Sequence, residues 1–123
     1  MRKLLNLVLI ATFVIEAPVG TMLMFAPESF LPAGQIDGVL WARNYGVAAF
    51  AISTLLFWTW SSRDSHQTMG VTLGFLMTFH AILAIALLVT GGQLTGAVLH
   101  SILAVLSVVL YFRRAQWCVV EQH

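Results

Sequence analysis

The sequence predicts an all-α integral membrane protein, a four-transmembrane-helix antiparallel bundle, and three observations lead there. Of the 123 residues, 59% are hydrophobic and only 9% are charged, whereas soluble domains carry about 25% charged residues. The mean hydropathy is +0.90. Apolar runs of about 20 residues, the length a helix needs to cross a bilayer, occur four times, at residues 4–25, 39–60, 69–89 and 94–112. Little is left over, so residues 1–123 read as a single four-helix membrane domain. The net charge of +1 comes with no patch of Lys or Arg dense enough to follow a phosphate backbone, which excludes nucleic acid as a partner. The single cysteine, Cys118, rules out an internal disulfide and a cysteine-only metal site.

The first run carries Glu16 near its middle. An Asp at the centre of a membrane helix costs about 2.5–3.5 kcal/mol, and Glu should cost about as much, so this side chain is expected to face protein, water or a counter-charge. Arg2 and Lys3 ahead of the run mimic a secretory leader. Glu16 interrupts the run, however, and no small-x-small cleavage site follows, so a retained helix is expected. Pro18 removes a backbone hydrogen bond beside Glu16 and predicts a kink that opens a pocket or simply bends the span.

The loop at 26–38 holds Pro27, Pro32, Gly34 and Gly38 and cannot continue either helix. Phe30 and Leu31 are expected at the membrane interface, and Asp37 is a candidate N-cap for the second span. That span opens with Trp41-Ala-Arg-Asn-Tyr-Gly46, the densest polar and aromatic patch in the chain. Trp41 and Tyr45 suit one aromatic belt, Trp58 and Trp60 the other. Arg43 either snorkels outward or turns inward toward Glu16.

The third span contains Gly70-Val-Thr-Leu-Gly74, a GxxxG pattern that marks a packing face. His80 lies about 80° around the helix from that stripe. The link at 90–95 is too short for anything but a hairpin between antiparallel neighbours. In the fourth span Gly96, His100, Ala104, Ser107 and Tyr111 form a stripe of small and polar side chains that should face protein rather than lipid. Arg113, Arg114 and Trp117 suit an interface, and Cys118 sits where acylation is conceivable, an unmodified thiol being the plainer expectation.

Orientation follows from the basic residues. Arg2, Lys3, Arg63, Arg113 and Arg114 share one side, while Glu28 and Asp37 lie on the other. By the positive-inside rule both termini and the 61–67 loop are cytoplasmic.

Counting at about 1.5 Å per residue from the outer end puts Glu16 and His80 roughly 15 Å deep, His100 roughly 9 Å and Arg43 roughly 6 Å, within reach of one another through the long arginine side chain. Glu16, His80 and His100 are the candidate acid–base residues, and Arg43, Asn44 and Tyr45 the candidate ligand-binding residues. Such a cluster makes either a polar pocket or an interhelical hydrogen-bond network that holds greasy helices in register. Two histidines are also the ligand type for a haem or chlorophyll-type pigment. A zinc site would need a third ligand, which Glu16 could supply, but no HxxxH or HExxH spacing occurs. Neither a nucleophile elbow nor a Gly-rich phosphate loop is present, which argues against hydrolase and nucleotide chemistry.

The mid-span acid, the loop Phe25-Ala-Pro-Glu-Ser-Phe-Leu-Pro32, the Trp41–Gly46 opening and Gly96-Ala-Val-Leu-His-Ser-Ile-Leu-Ala-Val105 before a basic end resemble the small four-helix bacterial membrane proteins of the DoxX-like group. The resemblance implies a bacterial inner-membrane location and, from the group's quinone-linked members, a quinone or another lipophilic ligand. The residues it carries over are Glu16, Arg43, Gly46 and His100. The absence of paired cysteines departs from direct thiol chemistry. Three functions stay open: a binder of a lipophilic ligand; a non-catalytic accessory subunit in a homo-oligomer or larger membrane complex; and a small acid–base isomerase or cyclase acting on isoprenoids.

Overall fold

The computed structural model describes residues 1–31, 38–91 and 93–119, and among these every regular element is helical. Five α-helices follow in order: α1 (Arg2–Phe25), α2 (Gly38–Ser53), α3 (Leu55–Thr59), α4 (His66–Thr90) and α5 (Leu94–Arg113). They compose four apolar spans, Arg2–Phe25, Gly38–Ser62, His66–Thr90 and Leu94–Gln116, each long enough to cross a membrane. The expected spans agree with these to within four residues at every end. Val71, Ile82, Ile85 and Val89 of α4 and Val105 and Phe112 of α5 are all more than half exposed. Apolar surface on that scale requires a lipid solvent, so the chain is an integral membrane protein.

The second span is not one continuous helix. Ser53 Oγ donates to the Phe50 carbonyl at 2.6 Å and Thr54 Oγ1 to the Ala51 carbonyl at 2.6 Å. These hydroxyls compete for carbonyls that the helix ladder would use, and α2 ends at Ser53 before α3 resumes at Leu55. α1, by contrast, runs unbroken through Pro18. A short 3-10 turn begins at Pro27, as the missing proline N–H allows. Asp37, the expected cap of the second span, lies outside the described residues.

Contacts divide the chain into two units, Met1–Val8 with Thr59–His123, and Leu9–Trp58. In the first, α4 and α5 pack against each other as an antiparallel hairpin. Ser65 caps α4 by accepting from the Thr68 amide at 3.2 Å, and Gly91 ends it at φ 71°, a conformation glycine adopts without penalty. At the other end of the hairpin the tail returns to the 61–65 loop, where the Val119 amide donates to the Asp64 carbonyl at 2.7 Å and the His66 amide to the Val119 carbonyl at 3.2 Å.

In the second unit α1 and the second span are also antiparallel. Phe13 meets Phe57 edge-on at 5.2 Å, and Gly20 meets Gly46 and Phe50. A Cβ on Gly20 would lie 2.7 Å from the Phe50 amide nitrogen, and one on Gly46 would lie 2.8 Å from the Gly20 carbonyl oxygen. The two backbones therefore touch where neither helix has a side chain.

Candidate functional site

The register of the α4–α5 hairpin places its polar residues. Leu87 faces Gly96, Gly74 faces the Tyr111 ring and Gly70 faces the Arg114 guanidinium. By that register Ala104 lies opposite His80, and His100 stands four residues, or about 6 Å, nearer the hairpin turn. The small Ala104 leaves the His80 imidazole room to lean toward His100. The two Nδ1 atoms come to 2.9 Å, with the rings 27° from parallel and their centroids 5.2 Å apart. Both residues are buried, His80 at 0% and His100 at 6% exposure.

A 2.9 Å contact between two ring nitrogens needs one proton between them. With both rings neutral, one imidazole is the Nδ1–H tautomer, with an acceptor lone pair on Nε2. Its partner offers Nδ1 as acceptor and carries its own proton on Nε2. Moving the shared proton across, with the matching exchange at the two Nε2 atoms, reverses the roles. Moving one proton thus exchanges donor and acceptor character between the two rings, the requirement for general acid–base work. Two axial imidazoles ligate a haem from opposite faces, and nitrogens 2.9 Å apart leave no layer for a macrocycle between them. A haem held between these two Nδ1 atoms does not fit the pair.

Phe79 closes one side of the pair, its ring edge-on to His80 at 5.1 Å and to His100 at 6.4 Å. Two turns further along α5, Ser107 is fully buried and its hydroxyl has no hydrogen-bond partner among the described residues. That contrasts with Ser101, which donates to the Ala97 carbonyl at 2.8 Å. The polar stripe expected on this span is buried at His100, Ala104 and Ser107 and half-buried at Gly96 and Tyr111.

Glu16 is buried on α1, with 1% exposure. Arg43 and Asn44 are exposed on α2, and Tyr45 is half-buried. Gly46, carried over from the resemblance, packs against Gly20. On the exposed side of α1 a shallow apolar groove of about 540 Å³ lies at the Pro18 turn, lined by Phe13, Val14, Ala17, Pro18, Thr21 and Met22. A second apolar groove, about 490 Å³, runs along the hairpin between Met77, Ala81 and Ile82 of α4 and Ala104, Val105 and Val108 of α5.

Three features had no distinct signal in the sequence. Phe79 is one phenylalanine among eight, and its place against both imidazoles depends on rotation about α4. Gly20 belongs to no motif, and only the matching glycine on α2 reveals its part. The orphan Ser107 hydroxyl is indistinguishable in sequence from the satisfied Ser101. Compared with protein-family models, with curated proteins and with solved structures, the chain finds no match in any of the three.

Proposed function

We propose that this protein binds a lipophilic small molecule with a carbonyl or hydroxyl headgroup, of the quinone or isoprenoid class, at the His80–His100 pair. The observation that carries the reading is the buried 2.9 Å contact between the two imidazoles. Structural polar pairs in membrane proteins contribute only about 0.6 kcal/mol on average, a small return for committing two histidines to the interior of one hairpin. A pair that exchanges donor and acceptor character by moving one proton suits a ligand that alternates between carbonyl and hydroxyl, as a quinone and its quinol do. Under this reading the protein is a DoxX-like member of a bacterial inner membrane with both termini cytoplasmic. Five of its six Lys and Arg residues fall on the side assigned to the cytoplasm. Glu16, a buried acid on its own helix, is the second candidate for proton exchange.

The test is native mass spectrometry with an absorption spectrum on protein extracted gently from its own membrane, for the wild type, His100→Ala and Glu16→Gln. Retention of a small molecule by the wild type, lost at least tenfold in His100→Ala with helicity unchanged, supports the proposal. Equal retention by both variants refutes it. A bare chain that appears only with stoichiometric partner proteins favours the accessory-subunit function instead.

A further inference from the structure

The unit formed by Met1–Val8 and Thr59–His123 gathers five cations at one end: Arg2, Lys3, Arg63, Arg113 and Arg114. Contacts within the unit fix this grouping. Arg2 pairs with Asp64, Arg63 reaches Asn6, and Arg114 lies against Gly70 at the start of α4. Among the described residues of the unit Asp64 is the one carboxylate, and Arg2 neutralises it.

The two best-positioned guanidinium groups are held by neutral partners. Arg63 donates to Asn6 Oδ1 at 3.2 Å and lies 3.7 Å over the Trp60 ring. Arg114 donates to the Tyr111 carbonyl at 2.6 Å and lies 4.1 Å over the Tyr111 ring. Their planes are fixed, and among the described residues no carboxylate pairs with either, an arrangement suited to phosphate oxygens. Arg114 Nε and Trp117 Nε1 are also buried without a hydrogen-bond partner among the described residues, and buried donors of that kind call for an acceptor. At the same end of the unit a cavity of about 340 Å³ is lined by Ser61, Ser62, Asp64, Ser65 and Val119. Its hydroxyls and carboxylate are acceptors for hydroxyl groups.

These groups lie where the spans end, at the level of lipid headgroups. We propose that this end of the protein is a binding site for an anionic phospholipid whose headgroup carries free hydroxyls, of the phosphatidylglycerol type. Arg63 and Arg114 hold the phosphodiester, Lys3 and Arg113 add attraction, and the serine-lined cavity receives the headgroup hydroxyls. Trp60 and Trp117 frame it at the depth where indole rings prefer to lie.

The experiment reconstitutes the full chain in nanodiscs of phosphatidylcholine containing equal amounts of phosphatidylglycerol and phosphatidic acid, and counts retained lipids by native mass spectrometry. Phosphatidylglycerol is expected to be retained over both other lipids. Lys3→Gln and Arg113→Gln, at exposed positions that leave packing intact, should each reduce that retention about fivefold, the effect of one cation near an anionic surface. Arg63→Lys and Arg114→Lys keep the charge but lose the flat fork, and should reduce it further. Equal retention of phosphatidylglycerol and phosphatidylcholine overturns the site. Equal retention of phosphatidic acid and phosphatidylglycerol overturns the role of the cavity. Displacement of the lipid by millimolar glycerol phosphate would identify a soluble phosphate as the occupant and overturn the assignment to lipid.

Discussion

Gly20→Ala tests the packing of α1 on α2 most directly. The added Cβ would stand 2.7 Å from the Phe50 nitrogen and 2.8 Å from the Gly46 oxygen, both backbone atoms that cannot rotate away. Restoring ordinary separation, about 3.5 Å for well-packed heavy atoms, moves the helices apart by roughly 0.8 Å. Overpacking of this kind costs about 1–3 kcal/mol. Alanine also gains about 0.8–1.0 kcal/mol of helix propensity over glycine, so the variant needs a reference that shares the gain without the clash. Gly74→Ala provides it, because a Cβ there would sit 3.7 Å from Tyr111 Cε2, an ordinary contact. The two variants should therefore differ by about 1–3 kcal/mol, a factor of about 5–150 in the unfolding equilibrium. The assay is helicity against detergent composition in mixed micelles, with Gly20→Ala unfolding earlier. Coincident curves for Gly20→Ala and Gly74→Ala would refute the close backbone approach.

Gly91→Ala should destabilise by about 1–3 kcal/mol, since φ 71° with ψ 162° is a region open essentially to glycine alone. Among the described residues no heavy atom would meet the new Cβ within 4 Å, so the loss reads backbone strain, and an unchanged unfolding curve counts against it. Burial pushes the Cys118 thiol above its usual range and Asp64 adds to the rise, while Arg114 and Arg2 offset part of it. Because the thiolate is the reactive form, alkylation of the folded protein should need a higher pH than alkylation of the denatured chain. The folded state holds the thiol proton more tightly, so this group's contribution to stability is intact below the unfolded thiol's pKa and falls as pH rises through the folded one. Identical pH profiles for the folded and denatured thiol would contradict this environment.

Hydropathy made the four spans legible, since a bilayer imposes length and apolarity together. It did not reveal the break at Ser53 and Thr54, because serine and threonine side chains can satisfy carbonyls within a helix or interrupt it with the same atoms. The stripe from Gly96 to Tyr111 was legible as an inward face because its small and polar residues recur at helical spacing. Depth was legible too, placing His80 and His100 about 6 Å apart in level, and their side chains close that offset. Rotation was not. A depth count treats Arg43 and Glu16 alike, yet Arg43 is exposed and Glu16 buried. The charged side chain with the longer stem reaches its solvent, whereas the short carboxylate stays where its backbone puts it.

The two glycine pairs show why a motif within one helix is an incomplete signal. Gly70 and Gly74 form the GxxxG pattern, but they face the Arg114 guanidinium and the Tyr111 ring, so the smooth face accommodates side chains rather than another backbone. Gly20 and Gly46 form no pattern within either helix, yet they bring two backbones into contact because each supplies an opening at the level of the other's carbonyl. Close approach is a property of a pair of positions on different helices. The same holds for the histidines: neither His80 nor His100 carries a motif, and their chemistry arises from a hairpin register that puts Ala104 opposite one and leaves the other a turn away. Moving Ala104 to a larger residue therefore probes the pair without touching it. Ala104→Leu should push the His80 ring off His100 and lower ligand retention while both imidazoles remain, and unchanged retention would show that binding does not depend on the shared proton.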